Sequence, residues 1–512
     1  MRRHSVFLKN AAILTVTSLI LRTIGIFFRI YMSNKIGAEG MGLYQLIVSI
    51  YVLGATFATS GISTAVTRLV ADELVRGTAS SVRRILRRSI ALSLILGVAS
   101  TAIIYGGAEL ISVYWIKDIR ATSALRVLSF SLPSMGISSC LRGYFIARRR
   151  VAVSSRAQLL EQAVRIGIVV FLLDRFSAFG IGIACMAVMI GDTVAEWVAC
   201  GCIALGYCAD RKRLNNELPP RGASPLTSVV RRVLTIAVPI TAGRYLNTIL
   251  RTIENILVPN SIAKYSGSQE RGLSQFGALK GMALPLIFFP ASFLSAMATL
   301  LIPEISAANA LNQKERINSA VEKALRITLL SSILIGTVFT VFSRELGLLL
   351  YNSTEVGLYL RVLAPLTPIM YTESIVDGML KGLNQQNSSL KYSIADSSLR
   401  IILILLLVPY RGMGAFLFIM VISNLLTSFL NTHRLLKVTG MSIRWSHWIL
   451  RPLLGACGAA AVSLIITHLP LISSVSGIWL TVLGILCLCG VYIALMLGLG
   501  CITRSDLRGT VS

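Results

Sequence analysis

Two pairs of arginines stand inside runs that are otherwise apolar. Arg22 and Arg29 lie in residues 11–32 (AAILTVTSLILRTIGIFFRIYM), and Arg244 and Arg251 lie in residues 234–259. Each pair is seven residues apart, close to two helical turns, so both guanidiniums of a pair share one side of their helix. A cation at bilayer depth costs a few kcal/mol or more unless it faces water or a partner. Snorkelling to an interface accounts for Arg29, near the end of its run, and poorly for Arg22 and Arg251. Guanidinium offers phosphate a fork of donors that an ammonium lacks. Arg22, Arg29, Arg244, Arg251 and Lys280 therefore make a candidate cationic cavity for an anion, with a diphosphate as a natural fit.

The acids divide into two kinds. Glu161/Arg165 and Asp396/Arg400 are each four apart with the acid first, the order that favours a pair within one helix. Two readings stand: pairs that neutralise themselves and lock helices together, or pairs that shape a water-filled cavity. Glu254 is expected to pair with Arg251. Asp192 and Glu196 share one apolar run with no cation nearby in sequence, and Asp377 follows Glu373 by one turn, before Lys381. Uncompensated carboxylates at membrane depth point to a coupling ion or proton.

The elements that must hold these groups are membrane spans. Apolar residues make up 54% of the 512, and charged ones only 14%, against about 25% in a soluble domain. Mean hydropathy is +0.74. A net charge of +27 could suggest nucleic acid. The basic residues instead fall in short clusters between apolar runs, which is how membrane topology is written, so no nucleic-acid partner is expected. Nine cysteines show no CxxC and no Cys/His cluster, and read as buried thiols, not a metal site. Arg2, Arg3 and Lys9 precede a first run that is too long for a signal peptide and lacks a small-residue cleavage site, so it reads as an uncleaved span. There is no Walker loop, GxSxG or HExxH, and the four histidines are scattered. The chain is read as no enzyme, without a cofactor, and as a carrier driven by a gradient or the membrane potential.

Hydropathy gives about fourteen spans, from residues 10–32 to 477–500, marked off by Gly, Pro and basic residues. Placing the connecting loops alternately puts the larger share of the 49 Lys and Arg on the side of the N-terminus, including Arg504 and Arg508 of the tail. That side is cytoplasmic by the positive-inside rule, with both termini inside a multi-pass cell-membrane protein.

The second half echoes the first. Leu125-Arg126-Val127-Leu128 then Pro133 matches Leu360-Arg361-Val362-Leu363 then Pro368, and Leu141-Arg142-Gly143 matches Leu380-Lys381-Gly382. Gln158-x-x-Glu161-Gln162-x-x-Arg165 matches Ser393-x-x-Asp396-Ser397-x-x-Arg400. Six spans per repeat is an even number, so both insert the same way up, related by an axis along the membrane normal. The expected architecture is all-α: a first lobe at 1–210, a basic linker at 211–232 with Pro219 and Pro220, a second lobe at 233–440, and a C-terminal helix pair and tail at 441–512.

Lys35–Gln45 (KIGAEGMGLYQ), Ser60–Arg68 (SGISTAVTR), Arg142–Phe145 (RGYF), the Gln158–Arg165 motif and Gly281–Pro285 (GMALP) followed by Pro303 resemble the stage V sporulation protein B family of polysaccharide transporters. That family belongs to the MOP superfamily, with MATE drug exporters and MurJ-type lipid II flippases. The resemblance implies a fourteen-helix, two-lobed, V-shaped carrier with a central cationic cavity. It implies outward movement of an undecaprenyl-diphosphate-linked saccharide by alternating access, with peptidoglycan precursor for the spore cortex as cargo. Arg22 matches an arginine of the flippases' first helix, and Lys280 stands where they carry a cavity arginine. Their helix-two aspartate is replaced here by Leu43 or a neighbour, so no role transfers. The last two helices would form a groove for the lipid tail. The implied partners are the lipid-linked oligosaccharide, the bilayer and wall-synthesis enzymes, with the carrier acting as a monomer. Two further readings stand beside the flippase: a MATE-type multidrug or cation antiporter, for which a cavity lined by arginines has the wrong sign, and a non-transporting scaffold for wall synthesis, which has no need of buried arginines at matched places.

Overall fold

The computed structural model of the chain describes residues 2–59, 61–76, 79–217, 226–441, 446–467 and 477–501. Pro219 and Pro220 of the expected linker, and Arg504 and Arg508 of the tail, lie outside the described residues. All regular structure among the described residues is helical. The chain divides into two compact units, residues 1–277 and 278–512.

The first unit holds α1 (Arg2–Thr59), α2 (Ile62–Arg76), α3 (Ala79–Leu110), α4 (Ala121–Ser129), α5 (Leu132–Ala147), α6 (Val151–Phe176), α7 (Ile181–Glu217), α8 (Leu226–Ser266) and α9 (Gln269–Phe276). The second holds α10 (Leu284–Ala310), α11 (Lys314–Val341), α12 (Ser343–Tyr351), α13 (Thr354–Leu363), α14 (Thr367–Gly382), α15 (Gln386–Thr439), α16 (Arg451–Thr467) and α17 (Gly477–Gly498). The sequence repeat starts the second lobe at residue 233, whereas packing keeps α8 and α9 with the first unit because both lie against α1.

Among the described residues nine helices are long and apolar enough to cross a membrane, or ten if α4 and α5, bent by 41°, form one broken span. Hydropathy alone gives about fourteen. Two of the nine, residues 12–75 and 386–439, far exceed the roughly 20 residues one crossing needs, so each holds more than one. In α6, Glu161 and Arg165 interrupt the apolar run and keep it out of the set.

Glycine sets the breaks. Gly37 has φ 72° and ψ 177° inside α1, and Gly412 has φ 60° and ψ −143° inside α15. An L side chain would be strained at either place. Behind the first break, Arg120 bonds Asp118 at 2.7 Å and Glu39 at 2.6 Å, tying the start of the second half of α1 to the turn after α3. Hydrogen bonding to Asp118, then to Glu39, raises the pKa of the Arg120 guanidinium, so this tie stays charged at working pH. Gly42 and Gly277 then let α1 and α9 touch backbone to backbone. A Cβ on Gly42 would stand 2.1 Å from the Leu273 carbonyl oxygen, and one on Gly277 would stand 1.9 Å from that of Ala38. Small residues at such crossings permit the close packing that holds helices together in lipid.

The first unit's core gathers Val66 and Leu69 of α2, Leu86 of α3, and Tyr144 and Phe145 of α5. At its edge, buried Asp210 of α7 accepts from Tyr144 (2.7 Å), Arg148 (3.1 Å) and Arg150 (2.5 Å). In the second unit α16 and α17 pack on α11 through Leu330, Ile333, Ala459 and Leu488. The Tyr492 hydroxyl donates to the Leu330 carbonyl at 3.0 Å, and Ser463 donates to that of Gly484 at 2.8 Å.

Candidate substrate cleft and charge network

Between the second half of α1 and the middle of α8 lies a cleft of about 590 Å³. From α1 it receives Gln45, Ser49, Val52 and Thr56, spaced three or four apart so that they share one face. From α8 it receives Arg244, Asn247, Arg251 and Asn255 on the same rule. Asn255 donates to the Ser49 hydroxyl at 2.9 Å, and Thr252 donates to the Ser49 carbonyl at 3.3 Å, which holds the two helices together at the cleft floor.

Arg244 and Arg251 are exposed into this space, and no carboxylate lies within ion-pairing distance of either among the described residues. The Nε2 of Gln45 is buried without a hydrogen-bond partner among those residues. Two free guanidiniums about 10 Å apart along one helix, with amide and hydroxyl donors opposite, are equipped to take an anion with several oxygens. A second cavity, of about 670 Å³, opens between α2 and the start of α8, with Arg68, Asp72, Arg231 and Arg232 in its wall.

The remaining predicted cations are elsewhere. Arg22 is exposed and Arg29 half-buried on the first half of α1, and neither lines the cleft. Neither has an acid within ion-pairing distance among the described residues. Lys280 sits half-buried in the π-helical turn 277–283. Glu254 is buried while Arg251 points into the cleft, so the expected Arg251–Glu254 pair does not form: one turn of α8 turns them to different surroundings.

The acid–base pairs do form, and the first unit builds a network on one of them. Arg142 of α5 reaches Glu161 at 3.1 Å, Arg165 reaches Glu161 at 2.9 Å, and the Nε of Arg165 lies 2.8 Å from Asp192 of α7. Asp192 is therefore not uncompensated, as the sequence suggested; its cation comes from the neighbouring helix. Glu196, one turn further along α7, is 7% exposed, and its Oε1 has no hydrogen-bond partner among the described residues. In the second unit Asp396 lies 3.8 Å from Arg400 and accepts from Ser423 at 2.6 Å. Asp377 is not free either: Lys381 pairs with it at 2.5 Å, and Ser389 donates to it. Arg142 belongs to this chemistry although the repeat and the family motif that contain it point to no acid partner; that partner, Glu161, is 19 residues on.

Residues 7–308 match the family model described as polysaccharide biosynthesis protein. The chain belongs to this family. Residues 262–406 also match the MatE family model. The chain is 26% identical over 453 residues to Stage V sporulation protein B of Bacillus subtilis (strain 168), covering 87% of this chain and 86% of the relative. Among solved structures, the lipid II flippase MurJ in an inward closed conformation aligns with TM-score 0.69 at 14% identity, over 96% of this chain and 99% of that one. An inward-facing multidrug resistance MATE family transporter of the MOP superfamily aligns with TM-score 0.63 at 15% identity, over 84% and 100%. At these identities the structural likeness carries the fold. This member of the polysaccharide biosynthesis protein family is an all-α, multi-pass membrane protein with the fold of the MOP transporters.

Proposed function

We propose that the chain is a flippase that moves an undecaprenyl-diphosphate-linked saccharide outward across the cell membrane by alternating access. The cargo is a peptidoglycan precursor such as lipid II, used in cell-wall or spore-cortex synthesis. The observation that carries this reading is the pair Arg244 and Arg251, held in a cleft whose lining contains no carboxylate. Guanidinium forks match the oxygens of a diphosphate, while the amides and hydroxyls opposite suit its sugar. Arg231 and Arg232 of the second cavity stand on the same helix as Arg251. The distance from Arg231 to Arg251 along α8 is about 30 Å, which matches the thickness of a hydrocarbon core. Arg232 pairs there with Glu73 at 3.4 Å, which leaves Arg231 and Arg68 of that wall to offer a diphosphate headgroup a counter-charge at the other end. Arg22, exposed and with no acid in ion-pairing distance among the described residues, joins the proposal on its charge. The excess of basic loops on the side of the N-terminus supports a cytoplasmic position for both termini.

The test is translocation of lipid II in proteoliposomes. Arg244→Ala, Arg251→Ala and Arg22→Ala should each reduce transport while the protein still inserts and folds; full transport by the double cleft variant would end the proposal. The fold likeness to a MATE transporter favours a second reading, a multidrug or cation antiporter. A cationic cargo would need acids in the cleft, so the account expects no change in drug accumulation in cells lacking the protein.

A further inference from the structure

The network around Arg165 contains three carboxyl groups, Glu161, Asp192 and Glu196, and two guanidiniums, Arg142 and Arg165. Both guanidiniums are taken: Arg142 by Glu161, and Arg165 by Glu161 and Asp192. With every group ionised the cluster carries one negative charge too many. The group left over is Glu196, more than nine-tenths buried, with Oε1 unpartnered among the described residues. Tyr51 of α1 is within electrostatic reach of Glu196, and its hydroxyl bonds to Ser131 and the Met135 sulfur. Cys200 follows on α7 itself, one turn on. Arg126 of α4 turns away, to Glu109 at 3.8 Å and the Tyr105 ring. No further cation comes to Glu196 from these helices.

A buried carboxylate with one oxygen unpartnered, whose neighbouring guanidiniums are already bonded to two other acids, is costly, and a carboxyl at membrane depth is the place where a carrier can hold a proton. We propose that Glu196 is a proton-binding site: its carboxyl takes up and releases one proton while Glu161, Asp192, Arg142 and Arg165 remain ionised. Only the carboxyl O–H bond forms and breaks, and the proton exchanges with water. The two guanidiniums disfavour a metal cation at the same spot, since they would repel it, whereas a proton adds no separate ion to be ligated. Binding would toggle the cluster between net zero and minus one and so change how strongly α7 is drawn to Arg142 and Arg165. That gives the carrier a coupling proton in the first unit. Use of the proton for transport rests on the flippase reading; the existence of the site does not.

Infrared spectroscopy of the full chain in nanodiscs, titrated with pH, tests the site without any cargo. The expected result is a carboxylic-acid carbonyl band at neutral pH that is lost in Glu196→Gln and kept in Asp377→Asn. Glu196→Asp, which retains the carboxyl, should keep a shifted band and guards against misfolding of the glutamine variant. Survival of the band in Glu196→Gln would overturn the proposal. So would its removal by sodium at constant pH, which would make the site a cation site.

Discussion

The second half of α1 separates two sets of arginines. Toward α6 and α7, Arg142 and Arg165 sit 2.8–3.1 Å from Glu161 and Asp192. Toward α8, Arg244 and Arg251 face a cleft lined by amides and hydroxyls and no acid. The side chain is the same, and the treatment is opposite. An arginine matched with half-buried acids belongs to the architecture, because removing it strands their charge. An arginine held open at membrane depth carries a cost that no acid in the cleft offsets, and the proposed function supplies its counter-charge with the ligand. The second unit sharpens the contrast. The offset of about 235 residues that relates Glu161/Arg165 to Asp396/Arg400 places Thr427 and Asn431 where the first unit has Asp192 and Glu196. One repeat carries acids at these two places and the other carries neutral groups, so the first unit's third carboxyl has no counterpart at the matching place of the second.

Arg165→Ala should show the largest effect. It leaves Glu161 and Asp192 short of a cation and should cost about 3–5 kcal/mol of stability, read by denaturation of the purified protein in detergent. A loss as small as that of a surface arginine would erase the distinction between the two sets. Arg251→Ala should behave in the opposite way. Stability should stay within about 0.5 kcal/mol, while binding of a polyprenyl diphosphate should weaken by about 1.5–3 kcal/mol, seen as a drop in affinity in a titration. Arg400→Ala tests the contrast between repeats. Asp396 keeps its bond from Ser423, so the cost should be about 1 kcal/mol, well below that of Arg165→Ala in the same denaturation assay. The smallest effect belongs to Arg251→Lys, which keeps the charge and loses the fork. It should weaken the same lipid by about 0.5–1 kcal/mol, and an affinity equal to wild type would show that charge alone is read.

What the sequence discloses follows helix geometry. The pairs Glu161/Arg165 and Asp396/Arg400 are legible because four residues make one turn, and both form. The shared face of Arg244 and Arg251 is legible for the same reason. The Arg165–Asp192 pair is not, because it joins two helices and only their packing makes it. The other wall of the cleft is equally hidden: Gln45 and Ser49 precede Arg244 by nearly two hundred residues, and no local spacing links them. Glu254 shows the converse error, in which nearness in sequence suggested a pair that side-chain direction on α8 prevents. Span counting blurs where helices run on through a glycine break, as at Gly37 and Gly412.

Native mass spectrometry of the protein released from its own membrane tests the central claim most directly. The account predicts that wild type retains a polyprenyl-diphosphate lipid and that the double variant Arg244→Ala/Arg251→Ala, equally folded, has lost it. Equal retention by the double variant, or a wild type that carries only bulk phospholipid, would contradict it.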